Sequence, residues 1–345
     1  MRRRARAGES RTFTYLGPNI ASLDVAMNGF ITMADSNVVR SWYFGNGFND
    51  DRTVPSPVIE AIEGQIVEVT LDSMMAHSIH FHGLDVDQAN DGVPSTSGYV
   101  ARMMGGGGFG RVDGYQNLGS PFTYTFVAPH AGTYMYHCHV DTVLHFEMGM
   151  YGTVIVRPPD GSATTAWEGG PSFDREYIWH LHTFDSAWHD IGGGGPPISG
   201  PDTVRHHPDY FMINGRDGAN TSSDPTTAIS AATGQKVLIR TTNVGYQPAL
   251  VSLGGLVFDV IASDGRPLRS AVSTDEQLVA PGERVDLLLT MPGGANSIAT
   301  VDYFDIRLRE ILGTAATTVQ ATPGDVIFED GFESGDTSAW SVVVA

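Results

Sequence analysis

Two histidine-dense segments constrain this chain more than any other feature. One reads His77-Ser78-Ile79-His80-Phe81-His82-Gly83, and the other runs from His137-Cys138-His139 to His145 and Met150. On an extended strand successive side chains alternate between faces. His80 and His82 therefore point together, as do His137 and His139, while Cys138 faces the opposite side. Two adjacent strands of this kind aim four imidazoles at one point and present Cys138 across the sheet.

The rest of the chain suits such strands. Short apolar or alternating runs, such as 66–71, 123–126 and 153–156, are separated by turn residues, and helical periodicity is weak. The 41 glycines and 19 prolines favour a turn-rich β protein. A length of 345 residues suggests two domains. We expect an all-β chain of two consecutive Greek-key β-sandwiches: a first domain over 13–158, a linker over 159–172, a second domain over 173–320 and an acidic, small-residue tail over 321–345. Gly105–Gly108 reads as a flexible loop, since no Lys-Ser/Thr follows to make a phosphate cradle.

A net charge of −19 argues against nucleic acid and anionic membrane as partners. No apolar run reaches the length of a membrane span. Met1–Arg6 is basic, but no apolar stretch follows it as in a signal peptide. No Gly-x-Ser-x-Gly elbow supports hydrolysis.

With one cysteine, no internal disulfide can form. A lone cysteine is ordinarily a small core residue, but ordinary cores do not surround it with histidines. One thiolate, two imidazoles and a weak axial thioether make the trigonal blue-copper site. The candidates are Cys138, His77, His145 and Met150, with Met148 competing for the axial role. Zinc accepts Cys and His but rarely Met.

These motifs resemble the multicopper oxidase family and, more broadly, the cupredoxins. The resemblance implies that His77 serves the blue copper, while His80, His82, His137 and His139 serve a three-copper cluster. It also implies that Cys138, His137 and His139 form the catalytic electron path between the two. Six residues separate Cys138 from His145, where laccase-like members usually have four; the related copper nitrite reductases have a longer loop.

The family's cluster uses eight imidazoles, and the first domain offers four. The second domain shows no matching supply: Leu253–Phe258 and Asp302–Asp305 lack histidine where it is expected. His180 and His182 form an H-x-H pair on what reads as the first strand of the second domain, away from the implied ligand positions. His189, His206 and His207 read as surface or loop residues, and His130 as a turn residue. The expected function is one-electron oxidation of a small-molecule or protein donor at a blue copper, with transfer to oxygen at the cluster. The missing ligands would come from another subunit of a homo-oligomer, a trimer by resemblance to two-domain relatives. The alternatives are a blue-copper electron carrier and, more weakly, a nitrite reductase. The acidic tail resembles C-terminal segments of secreted proteins of some bacteria, and we expect a periplasmic or secreted protein.

Overall fold

The computed structural model describes residues 13–45, 54–102, 114–189 and 206–323. Met1–Arg6, the Gly105–Gly108 run and the tail from 324 onward lie outside them.

Strands dominate, and they assemble into two pairs of sheets. In the first pair, one sheet has the order β1 (Tyr15–Leu16), β4 (Val58–Ile62), β9 (Tyr151–Arg157), β8 (Gly132–His137) and β6 (His80–His82). Its partner sheet has the order β3 (Val38–Gly45), β2 (Ile20–Thr32), β5 (Ile66–Asp72) and β7 (Phe122–Val127). The alternation in β5 is the simplest case. Val67, Val69 and Leu71 are fully buried while Ile66 and Glu68 face out. Each such side chain removed from water stabilises the sandwich by roughly 1.5–3 kcal/mol. β7, its neighbour in the same sheet, sets Phe126 beside Val67 and Tyr124 beside Val69 in the same core.

The second pair comprises a seven-stranded and a five-stranded sheet. The first has the order β12 (Arg216–Asp217), β11 (Tyr210–Ile213), β10 (Arg175–Phe184), β14 (Lys236–Asn243), β19 (Arg284–Thr290), β16 (Phe258–Ser263) and β17 (Arg266–Thr274). The second has the order β13 (Ile229–Ala232), β21 (Ile311–Thr322), β20 (Asn296–Phe304), β15 (Ala249–Ser252) and β18 (Glu276–Val279). Parallel pairs such as β4 with β9 and β10 with β14 join strands distant in sequence, so connections cross between sheets, as in Greek keys. Helices among the described residues are short connections: α1 (Pro94–Ser97), α2 (Thr142–Glu147), α3 (Ser186–His189) and α4 (Gly218–Ser223).

The two sandwiches pack closely. A Cβ on Gly132 of β8 would lie 2.7 Å from the carbonyl oxygen of Gly265. Tyr134 donates its hydroxyl to that carbonyl at 3.1 Å. The stretch expected as a linker also contributes to packing: Ala166, with Phe173 just beyond it, is buried against Leu238 and Ile261.

Candidate metal centre

The register of β6 and β8 builds the first part of the site. The two strands are antiparallel, with His80 opposite His137 and His82 opposite Met135. Strand β8 ends at His137. Cys138 and His139 therefore lie just past the strand, a correction to the expectation that the alternation continues through His139. The outcome is nonetheless convergent. Donor atoms of His80, His82 and His137 all lie within 4.8 Å of one another. His139 stands beside them, its ring 5.2 Å from that of His80 and stacked 5.9 Å from that of His137. Its backbone N–H is held by the Ser78 hydroxyl at 3.2 Å.

Two of the rings are oriented by their other nitrogen. His80 donates Nδ1–H to the carbonyl oxygen of Asp91 at 2.7 Å, with the Asp91 carboxylate 3.1 Å away. His137 donates Nδ1–H to the carbonyl of Cys138 at 2.9 Å, which leaves Nε2 facing His82 Nδ1 at 3.3 Å. Such outer partners fix tautomer and ring angle in metal-binding histidines. Asp91 was not legible from sequence. Its neighbour Gly92 (φ +77°) explains its position: a Cβ there would stand 1.7 Å from the carbonyl oxygen of Ile79, so only glycine lets this turn press against β6.

The second group is His77, Cys138 and His145, all buried, with donors within 4.8 Å of one another. Cys138 Sγ lies 3.5 Å from His77 Nδ1 and 3.0 Å from His145 Nδ1. Three donors bound at about 2.0–2.3 Å around one ion in a plane stand about 3.6 Å apart. These residues thus fit a trigonal metal with little movement. His77 Nε2 is buried without a hydrogen-bond partner. Trp42 packs edge-on against His145 at 5.3 Å. Met148 and Met150 are both buried in the surrounding core. The residues between Cys138 and His145 are not slack: Asp141 adopts a left-handed conformation and starts α2, which carries His145 back over Cys138.

Electrostatics keep the donors ready for a cation. Burial lowers His77 to about 3 and His82 to about 4, with Arg284 adding to the effect on His82. Burial likewise holds His137 and His145 well below the usual imidazole range and lowers His139. Burial pushes the Cys138 thiol up to about 12. The rings are therefore neutral ligands, and the thiol becomes a thiolate when a metal replaces its proton.

Of the other histidines, His180 is held by Thr153 Oγ1 at 2.8 Å and by Asn214 Oδ1 at 3.3 Å, a satisfied core residue. His130 and His207 are exposed. His189, expected at the surface or in a loop, is buried at the end of α3, and His206 is half-buried. His189 is covered because its ring packs on the nearby Phe184 and its Nδ1 reaches the carbonyl of Arg40, a contact made far along the chain.

Residues 31–160 and 184–322 each match a family model described as multicopper oxidase. The chain belongs to the multicopper oxidase family. The copper-containing nitrite reductase of Neisseria meningitidis serogroup B is 29% identical over 246 residues, covering 69% of this chain and 53% of that protein. Laccase-5 of Arabidopsis thaliana is 24% identical, covering 68% of this chain and 38% of that protein. The chain thus spans about half the length, or less, of these curated relatives. The blue copper oxidase of Nitrosomonas europaea superposes with a TM-score of 0.66 at 25% identity, covering 88% of this chain and 85% of that one. The copper nitrite reductase of the same organism superposes at 0.62 with 22% identity, covering 89% and 94%. Membership makes copper the metal to consider for both groups. Among the described residues, no helix is long and apolar enough to cross a membrane.

Proposed function

We propose that the chain is a copper-dependent oxidoreductase with two coupled sites on its first sandwich. His77, Cys138, His145 and Met150 hold a blue copper, and His80, His82, His137 and His139 hold the histidine-bound copper. When bound, copper would supply one-electron redox chemistry, the thiolate group holding the ion that faces a donor and the histidine group holding the copper that faces oxygen. The observation that carries this reading is the position of Cys138. Its sulfur lies with His77 and His145, while the adjacent His137 belongs to the other group. A few covalent bonds therefore join the two. The protein's own contribution is to bury the thiol, orient each imidazole and exclude water from the sulfur.

In this reading the copper-binding unit spans 13–158, and the ligand-poor unit spans 173–320. A further copy of the chain, in a homotrimer, completes the histidine face. The protein works in the periplasm or outside the cell. A second reading, a blue-copper electron carrier, draws support from the neighbours of His82 in the second sandwich. A Cβ on Gly282 would lie 3.6 Å from the His82 ring, and the Arg284 guanidinium packs beside Gly83. Neither residue is an imidazole. Metal analysis and oxygen uptake separate the readings. Three or more coppers per chain, with oxygen consumed in the presence of a one-electron phenolic donor and lost in His139→Ala, support the oxidase. One copper that cycles without oxygen uptake supports the carrier.

A further inference from the structure

A second histidine cluster lies at the seam between the sandwiches, on the opposite side of α2 from the thiol. Its centre is Glu147, the last residue of α2, which is fully buried. Three imidazoles from the second half of the chain approach its carboxylate. His206 Nε2 is 3.1 Å from Oε2, His189 Nε2 is 3.4 Å from Oε1, and His182 Nε2 is 3.9 Å from Oε2. The backbone N–H of Asp185 donates to Oε1 at 2.7 Å.

Hydrogen-bond bookkeeping at the far nitrogens assigns each ring a role. The Nδ1 of His189 lies 2.6 Å from the carbonyl oxygen of Arg40. A carbonyl can only accept, so this Nδ1 carries the proton, and Nε2 of the neutral ring is a bare lone pair facing a carboxylate. The Nδ1 of His182 is taken by the Tyr151 hydroxyl at 2.9 Å. The Nε2 atoms of His182 and His189 are both buried without a hydrogen-bond partner. His206 differs: its Nδ1 accepts from the Gln247 side-chain nitrogen at 3.0 Å, so its Nε2–H is free to donate to Glu147. The lone pair of His189 thus faces the Glu147 carboxylate, and the unpaired Nε2 of His182 stands beside them, all removed from water. That arrangement is costly unless a cation occupies the gap.

We infer that Glu147, His182 and His189 form a divalent-metal site of the two-imidazole, one-carboxylate type, separate from both copper groups, with His206 orienting the carboxylate. Nitrogen and oxygen donors without sulfur suit a borderline d-block ion such as zinc. The engaged far nitrogens are the outer partners that metal-bound histidines require. Unlike the two groups above, these donors do not all fall within 4.8 Å of one another, so capture of the ion closes the rings onto the carboxylate. The bound ion would clip the helix carrying His145 to β10 and α3 of the second sandwich.

The test starts from the full chain loaded with copper, stripped of loose metal by a chelating resin and titrated with Zn²⁺. Wild type should take up one additional zinc per chain with its visible spectrum unchanged. Its melting temperature should rise with free zinc, because the ion binds the folded state alone. The double variant His182→Gln/His189→Gln should lose that equivalent and the melting response. His206→Gln should still bind zinc, about tenfold more weakly. Anomalous diffraction at the zinc edge on wild type needs no variant and should locate the ion between Glu147, His182 and His189. Absence of the extra equivalent, an equal uptake by the double variant, or anomalous density elsewhere would overturn the inference. The anomalous peak does not depend on copper loading, so failure of the blue-copper reading and failure of this one are distinguishable.

Discussion

Glu176→Gln probes the charged cluster that joins the two sandwiches. Glu176, on β10, is nearly inaccessible, with 2% of its surface exposed. It accepts both terminal nitrogens of Arg157 at 2.7 and 2.8 Å and Arg240 Nε at 2.7 Å. Arg157 closes the first sandwich at the end of β9 and also reaches Glu60 at 2.9 Å, whereas Arg240 sits in β14. Burial pushes the Glu176 carboxyl up, but the two guanidiniums outweigh it and hold it at about 2 against an ordinary 4.5. At 1.36 kcal/mol per unit, that depression corresponds to about 3 kcal/mol. Independent experience with broken buried pairs gives roughly 3–5 kcal/mol. Gln keeps the shape and one acceptor, so the lower figure applies. The sign follows from the depressed value: the carboxylate's contribution is complete above pH 4.5 and fades as pH falls toward 2. Urea unfolding of wild type and variant at pH 7 should differ by about 3 kcal/mol, and the gap should narrow steadily below pH 4.5. A loss under about 1 kcal/mol, or a gap that does not change with pH, would refute the view that this cluster holds the interface.

Cys138→Ser should abolish the intense visible band of the copper-loaded protein, because a hydroxyl is a harder and poorer ligand than thiolate; a variant that stays blue removes the assignment. Met150→Leu should keep the colour and raise the reduction potential, read by redox titration, and the same shift in Met148→Leu instead would move the axial role to that residue. Copper uptake by metal-free protein at neutral pH should release a proton from the buried thiol, measurable in weakly buffered solution; uptake without acidification would contradict a protonated Cys138. Asp91→Ala should weaken metal binding at the histidine group by roughly tenfold while leaving the visible band intact, and unchanged affinity by competition with a chelator would show that the Asp91 carbonyl alone orients His80.

Local pattern carried the fold and the chemistry a long way. Alternation in Val67, Val69 and Leu71 placed β5, and period two placed His80 beside His82. What escaped was everything decided by distant partners. Arg240 follows Val237, Leu238 and Ile239 on a strand and is itself fully buried. Nothing near it in sequence says that Glu176 will neutralise it and Thr133 will accept a hydrogen bond from it, from two different sheets. His189 precedes a glycine-rich stretch and has the local look of a surface residue, yet Phe184 and the carbonyl of Arg40 cover it. The turn into α2 defeats period-two reasoning in another way. Once Asp141 takes the left-handed conformation, alternation no longer says which side chain faces which, and spacing alone cannot choose between Met148 and Met150.

Among the described residues, the second sandwich contributes no donor to either the Cys138 group or the His80 group, yet its contacts converge on the helix that carries His145. Helix α2 is a single six-residue segment, too short to be stable alone. It is held from the first sandwich by Trp42, whose ring meets His145 and whose backbone N–H donates to the carbonyl oxygen of Met148 at 2.8 Å. From the second sandwich, the Tyr246 hydroxyl donates to the carbonyl of Val143, and the backbone N–H of Asp185 donates to Glu147. His145 thus projects from a helix braced on both sides, and its Nδ1 stays fixed relative to Cys138 Sγ. A site that changes oxidation state gains from ligands that cannot relax, because reorganisation would add to the barrier for each electron. Retaining a ligand-poor sandwich is then intelligible as mechanical support for the thiolate site.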